Sequence, residues 1–90
     1  MARNGSSQCW VDVFDADCFM GNMRRLVGPQ KLSQLNVKSL IVGPHAMVQL
    51  TIRRRGLDSL VTLRPKKVIP DLAAAVNGAK IRSASVIFKQ

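Results

Sequence analysis

The fold of this chain is decided by residues 11–21, Val11-Asp12-Val13-Phe14-Asp15-Ala16-Asp17-Cys18-Phe19-Met20-Gly21. The first residues alternate in the period of two that is typical of a strand with one buried face. Asp15-Ala16-Asp17 then favours a turn. Phe14 and Phe19 stand five residues apart, and Gly21 follows where a folded-over corner needs a positive φ or a close backbone approach. The stretch therefore predicts a β-hairpin with a folded-over corner.

The length and charge of the chain limit its class. Ninety residues suffice for one domain with a small core. The net charge is +9, from 14 basic and 5 acidic residues, and most of this charge lies in residues 46–90. Such an excess favours polyanionic partners, or else a solvated basic face. The few aromatic residues are expected in the core, which argues against binding of single-stranded nucleic acid by stacking.

The chain shows no targeting or membrane signal. Residues 1–8 have no apolar centre, so they predict a short disordered leader rather than a secretory signal. No apolar run approaches the ~20 residues that a membrane-spanning helix needs. Cys9 and Cys18 do not make a disulfide framework. We therefore expect a cytoplasmic domain, at residues 9–90, with two free and partly buried thiols.

The patterning is rich in strands. Strands are predicted at 9–14, 22–27, 39–42, 46–52, 57–63 and 82–88. Gly28-Pro29 and Gly43-Pro44 mark turns between them. One short helix is predicted at 71–76, because Pro70 and Asp71 suit its first turn and Asn77-Gly78 suits its end.

A weak internal repeat divides the chain into two halves. Leu26-Val27-Gly28-Pro29 is echoed by Leu63-Arg64-Pro65, which gives one motif at about 9–44 and a second at about 45–90. A single four-stranded unit cannot bury its own apolar face, so two units packed face to face predict a β-sandwich. The predicted core residues are Val11, Val13, Leu26, Leu40, Val42, Val48, Leu50, Leu60, Leu63, Ile81, Val86 and Phe88.

Taken in order, these features resemble the βγ-crystallins, in which two Greek-key motifs form one domain. Residues 14–21 look like the family's aromatic–x4–aromatic–x–glycine hairpin, and residues 39–44 and 81–86 resemble the segments that close its two motifs. The resemblance covers about residues 9–88. It implies an all-β sandwich of two Greek keys. The second hairpin, at residues 51–58, departs from the pattern, because it lacks the aromatics and has three arginines at its tip.

Many microbial βγ-crystallins bind calcium through two loops that read Asn/Asp–Asn/Asp–x–x–Ser/Thr–Ser. The resemblance places these loops at 34–39 and 78–83, where only the final serines match. The degenerate positions are Gln34, Leu35, Lys38, Ser39, Gly78, Ala79, Arg82 and Ser83. Calcium takes six to eight oxygen ligands, whereas several of these positions offer no oxygen and two carry a cation. The resemblance thus implies lost calcium binding and no metal or other cofactor.

Two hypotheses concern the cations of these loops. In the first, Lys38 and Arg82 are built-in substitutes for the metal and donate hydrogen bonds to the carbonyls that calcium would gather. In the second, both side chains simply point into solvent. A residual calcium site that uses Asp15, Asp17 and backbone carbonyls is a further alternative.

No catalytic residues are predicted, and the chain is not expected to be an enzyme. His45 is the only histidine, and nothing in the spacing brings a nucleophile to it. The best interaction candidates are six basic residues, namely Arg53, Arg54, Arg55, Arg64, Lys66 and Lys67. If the hairpin tip and the turn after the next strand lie at one end of the sandwich, these charges cluster there to bind a polyanion. The alternative is that they deter strand edges from pairing.

The sequence therefore predicts a non-enzymatic structural or stress-type βγ-crystallin-like domain that has lost calcium binding. It predicts a monomer or weak homodimer without a membrane span. One alternative is a polyanion or nucleic-acid binding module that uses the basic second half. The other is a βγ-crystallin that binds calcium weakly.

Overall fold

The computed structural model describes residues 9–32 and 36–89. The predicted leader at 1–8 lies outside these residues. The described elements are β1 (Trp10–Phe14), β2 (Met23–Val27), β3 (Gln30–Leu32), β4 (Ser39–Val42), β5 (Ala46–Arg54), β6 (Leu57–Leu63), β7 (Val68–Ile69), α1 (Leu72–Ala75) and β8 (Lys80–Phe88). A short 3-10 turn at Asp17–Phe19 follows β1. Across the described ranges, no helix has the length and apolar character needed to cross a membrane.

The strands form two four-stranded antiparallel sheets. The first sheet has the order β2-β1-β4-β7, and the second has the order β3-β8-β5-β6. This all-β, sandwich-like fold confirms the predicted class. The halves do not each supply one sheet, however, because β3 of the first half joins the second sheet and β7 of the second half joins the first sheet. Each half thus completes the sheet of the other.

The six predicted strands are present, whereas β3 and β7 were missed. They have three and two residues, too few to show a period. They form because β8 and β4 offer free edges to them. The predicted helix is confirmed as α1, and the side chain of Asp71 caps it by accepting a hydrogen bond from the backbone N–H of Ala74 at 3.2 Å.

The core lies between the two sheets. Most residues predicted for it are buried, and Val13, Ile81 and Phe88 are partly buried against it. The prediction that Leu60 belongs to the core is wrong, since 69% of this residue is exposed. It pairs with Thr51, and the period of two along β6 places it on the outer face of the sheet. Core residues that the prediction missed are Cys9, Ala46, Ile52, Ile69, Leu72, Val76 and Ala84.

The corner after β1 contains the paired aromatic rings and the positive-φ glycine that the sequence predicts. The rings of Phe14 and Phe19 pack edge to face with centroids 5.5 Å apart. Cys18 and Phe19 both have positive φ, as does Gly21 at +77°. A Cβ on Gly21 would collide with the Asp15 carboxylate. The positive φ therefore favours glycine at position 21, and a larger residue would also have to displace the Asp15 carboxylate.

Candidate functional site

The six predicted basic residues do not lie at one end of the sandwich. Arg53 and Arg54 end β5, and Arg55 forms a tight turn with Gly56, both with positive φ. Arg64, Lys66 and Lys67 follow the far end of β6. A strand of seven residues spans about 20 Å, so a hairpin strand necessarily separates the turns at its two ends. The expected cluster of six charges is therefore wrong.

A different set of cations gathers around the hairpin tip. β8 begins beside the end of β5, and Lys80 pairs with Arg53. Thr51 pairs with Ser83 and Ile52 with Ile81, so that a bulge leaves Arg82 without a partner in the ladder. We call the resulting exposed group the basic end, and its members are Arg53, Arg54, Arg55, Lys80 and Arg82. Sequence reasoning missed Lys80, because only the β5–β8 register brings it there.

One carboxylate lies within the basic end. Arg53 Nε donates to Asp58 Oδ1 at 2.8 Å, and Arg82 Nη1 lies 3.7 Å from Asp58 Oδ2. The hydrogen bond from Arg53, with a smaller contribution from the charges of both arginines, lowers the pKa of Asp58 below its ordinary value. Asp58 thus stays ionised at neutral pH and offsets only part of the positive charge.

Arg54 makes a different kind of contact. Its Nη2 donates to the carbonyl oxygens of Val76 at 2.9 Å and Asn77 at 3.3 Å. These carbonyls lie at the end of α1, just before the second degenerate loop begins at Gly78. A cation from the second hairpin therefore binds two backbone carbonyls next to residues 78–83, the segment that the resemblance compares with a calcium loop.

The residues first proposed as metal substitutes have other surroundings. Arg82 lies against Asp58. The Lys38 side chain is exposed. Its backbone N–H donates to the Phe14 carbonyl, and its carbonyl accepts from the Leu72 N–H, both at 2.8 Å. The backbone of Lys38 thus joins β1 to α1.

The other degenerate loop positions differ in burial. Gln34 and Leu35 lie outside the described residues. Ser39 is fully buried. Its Oγ donates to the Ala16 carbonyl at 2.6 Å and accepts from the Phe19 N–H at 3.0 Å. Gly78 and Arg82 are exposed, and Ala79 and Ser83 are half-buried. Ser39 therefore serves the folded-over corner.

Two acidic side chains of the first hairpin, those of Asp12 and Asp15, accept hydrogen bonds. Asp12 accepts two hydrogen bonds from Arg25, at 2.7 and 2.9 Å. Asp15 accepts from the backbone and side-chain nitrogens of Asn22, at 2.8 and 3.1 Å. Across residues 9–32 and 36–89, no three or more His, Cys, Asp or Glu side chains are grouped to hold a metal ion.

The two thiols and the histidine differ in burial and in their contacts. Cys9 is fully buried, and this burial raises the pKa of its thiol. Cys18 is exposed, so neither cysteine has the partial burial that the sequence predicted. Both are free. His45 occupies the predicted turn, with Nδ1 3.1 Å from the carbonyl oxygen of Lys89.

No protein-family model matches the chain, and no curated protein matches it. The features that bear on function are those of the chain itself: the strand order, the hold of Arg54 on two carbonyls, and the basic end.

Proposed function

We propose that this chain is a non-enzymatic structural domain of the βγ-crystallin type that folds without calcium. The strand order supports the architecture. In a Greek key, the fourth strand returns to lie beside the first. β4 lies beside β1, which pairs with β2, and β3 follows in the opposite sheet. β8, β5, β6 and β7 repeat the same arrangement. Two Greek keys that share one sandwich give this order.

The contact between Arg54 and the carbonyls of Val76 and Asn77 carries the calcium-free part of the proposal. Calcium in proteins is bound by carboxylate and carbonyl oxygens together. A guanidinium offers several N–H donors and a permanent charge, so it satisfies carbonyl oxygens without a set of acidic ligands. The fold then receives from its own side chain the stabilisation that a metal would bring.

Replacing Arg54 with alanine is expected to lower the free energy of unfolding by about 1–2 kcal/mol, because two carbonyls lose a charged donor. Urea unfolding of the full chain, with calcium and with chelator, measures this loss. We expect the wild-type unfolding curve to be the same in both conditions, because the stabilising cation belongs to the chain.

Arg55→Ala is the matched control, since it removes the same charge from the neighbouring position. The Arg55 side chain makes no hydrogen bond to another described residue, so we expect a change within about 0.5 kcal/mol. Equal effects of the two substitutions would contradict the role of Arg54. A calcium-dependent rise in stability would contradict the proposed function.

The basic end favours a second candidate function, the binding of a polyanion. Its five cations are exposed, and Asp58 is the carboxylate that lies among them. Contacts of lysine and arginine with phosphate or sulfate release counterions, so that such binding weakens steeply with salt. The surface has the charge for this role without any catalytic group.

A charge-matched pair of double variants tests this second function on a heparin column. Arg55→Ala with Lys80→Ala removes two cations from the basic end, and Arg64→Ala with Lys66→Ala removes two from the opposite end of β6. We expect the first variant to elute at lower salt than the second, with the slope of log affinity against log salt reduced by about two. Equal elution of both variants would show only a response to net charge.

A further inference from the structure

The four edge strands of the two sheets are protected unequally. The edges are β2 and β7 in the first sheet and β3 and β6 in the second. Proteins protect edges with charged side chains, proline or short strands. β2 contains Arg24 and Arg25, β3 has three residues with Lys31 among them, and β7 has two residues followed by Pro70. Each of these three edges carries at least one such device.

β6 differs from the other edges. It is seven residues long, Leu57-Asp58-Ser59-Leu60-Val61-Thr62-Leu63, and it contains no lysine, arginine or proline. Its single charge, Asp58, is held by Arg53. Leu57 and Leu60 are 72% and 69% exposed. β6 therefore presents a long edge of backbone donors and acceptors together with exposed apolar side chains.

We propose that β6 pairs antiparallel with β6 of a second copy of this chain, around a twofold axis at Leu60. The second sheet of one copy then continues into the second sheet of the other. The sequence of β6 is self-complementary about this axis. Leu60 lies opposite the partner's Leu60, and Leu57 lies opposite the partner's Leu63. Such an isologous contact closes after two copies.

The pairing respects both faces of the sheet. Val61 and Leu63 pair with Leu50 and Val48, which are buried, so odd-numbered residues of β6 face inward. Leu57 is on this inward face but is exposed, and in the dimer it gains an apolar neighbour. On the outer face, the two copies of Leu60 cover each other. Cross-strand pairs of this kind stabilise sheets.

The charges also favour a second copy at this edge. The pairing places Asp58 opposite the partner's Thr62 and diagonal to the partner's Arg64, and diagonal neighbours are within reach of a long side chain. Because of the twofold symmetry, the attraction between Asp58 and the partner's Arg64 occurs twice in the dimer. β2 paired with itself around Arg25 would instead bring two arginines face to face, which is destabilising. The charge pattern therefore selects β6 over β2.

Cysteine cross-linking tests both the pairing and its register. In a Cys18→Ser background, Leu60→Cys places two thiols directly opposite, where the Cα atoms of antiparallel partners are about 4.5–5.5 Å apart and a disulfide forms readily. We expect a disulfide-linked dimer under mild oxidation. Thr62→Cys is the control on the same face of the same strand, because its two copies lie about 13 Å apart along the strands. Equal cross-linking of both variants, or of neither, would overturn the proposal.

Sedimentation equilibrium tests the association of the unmodified chain. We expect a monomer–dimer equilibrium between about 10 μM and 1 mM. We expect Leu60→Lys to weaken it by about tenfold or more, since it opposes two like charges. Met23→Lys makes an equivalent change at the exposed edge strand β2 and is expected to leave the dimer intact. A wild-type chain that stays monomeric throughout, or equal loss of the dimer in both variants, contradicts the pairing.

Discussion

Replacing Leu50 with alanine is expected to lower the free energy of unfolding by about 3–5 kcal/mol. Leu50 is 1% exposed on β5, which lies between β8 and β6 in the second sheet. The strands on both sides hold β5 in its ladder, so the space left by the side chain cannot close by a local shift. The variant loses both the apolar transfer energy and the contacts around the cavity. Urea unfolding measures the change.

Leu60→Ala is the matched comparison, because it removes the same atoms from the neighbouring strand. Leu60 is 69% exposed and pairs with Thr51, next to Leu50 in sequence. We expect a change within about 0.5 kcal/mol, measured in dilute solution where the chain is monomeric. Similar losses for the two variants would mean that β6 has a different register from the one described. If Leu50→Ala does not fold, Leu50→Val still has to be less stable than Leu60→Ala.

Ser39→Ala is expected to destabilise the chain by about 2–4 kcal/mol, although it removes a single oxygen. Ser39 is fully buried, and its Oγ connects the Ala16 carbonyl to the Phe19 N–H. Both groups belong to the folded-over corner, where Phe19 already has an unfavourable positive φ. Alanine leaves the partly buried Phe19 N–H and Ala16 carbonyl without these partners. Thermal or urea unfolding measures the loss, and hydrogen exchange of the Phe19 amide is expected to accelerate.

Ser83→Ala tests whether the loss of stability comes from the hydrogen bonds at the corner or from removing any serine hydroxyl. Ser83 stands at the position that the resemblance matches with Ser39, but it is half-buried and makes no side-chain hydrogen bond to another described residue. We expect a loss of less than about 1 kcal/mol. A Ser83→Ala loss as large as that of Ser39→Ala, or unchanged exchange at Phe19, would contradict the explanation.

The parts of the fold that the sequence predicts correctly are determined by residues close together in the sequence. β5 alternates buried and less buried residues along most of its length, and this period can be read directly. The corner after β1 follows from two phenylalanines and a glycine at fixed spacing, and α1 begins at a capping aspartate. Each signal is local, because backbone dihedrals and side-chain direction repeat within a few residues.

The candidate site depends on residues that are far apart in the chain. Lys80 reaches the basic end through the β5–β8 register, and Arg54 meets the carbonyls of Val76 and Asn77 across 22 and 23 residues. No local pattern marks either contact. The hypothesis from the sequence placed such a cation at Lys38 and Arg82, whereas the contact with these two carbonyls is made by Arg54.

Local chemistry thus specified the six longer strands, the turns, the first corner and many core positions, since period and turn preference act over short distances. Tertiary packing specified the exchange of β3 and β7, the outward face of Leu60 and the partners of the arginines. Short strands gain their hydrogen bonds only from a sheet that already exists. The position of a long cationic side chain is fixed by which carbonyl or carboxylate the folded chain brings within its reach.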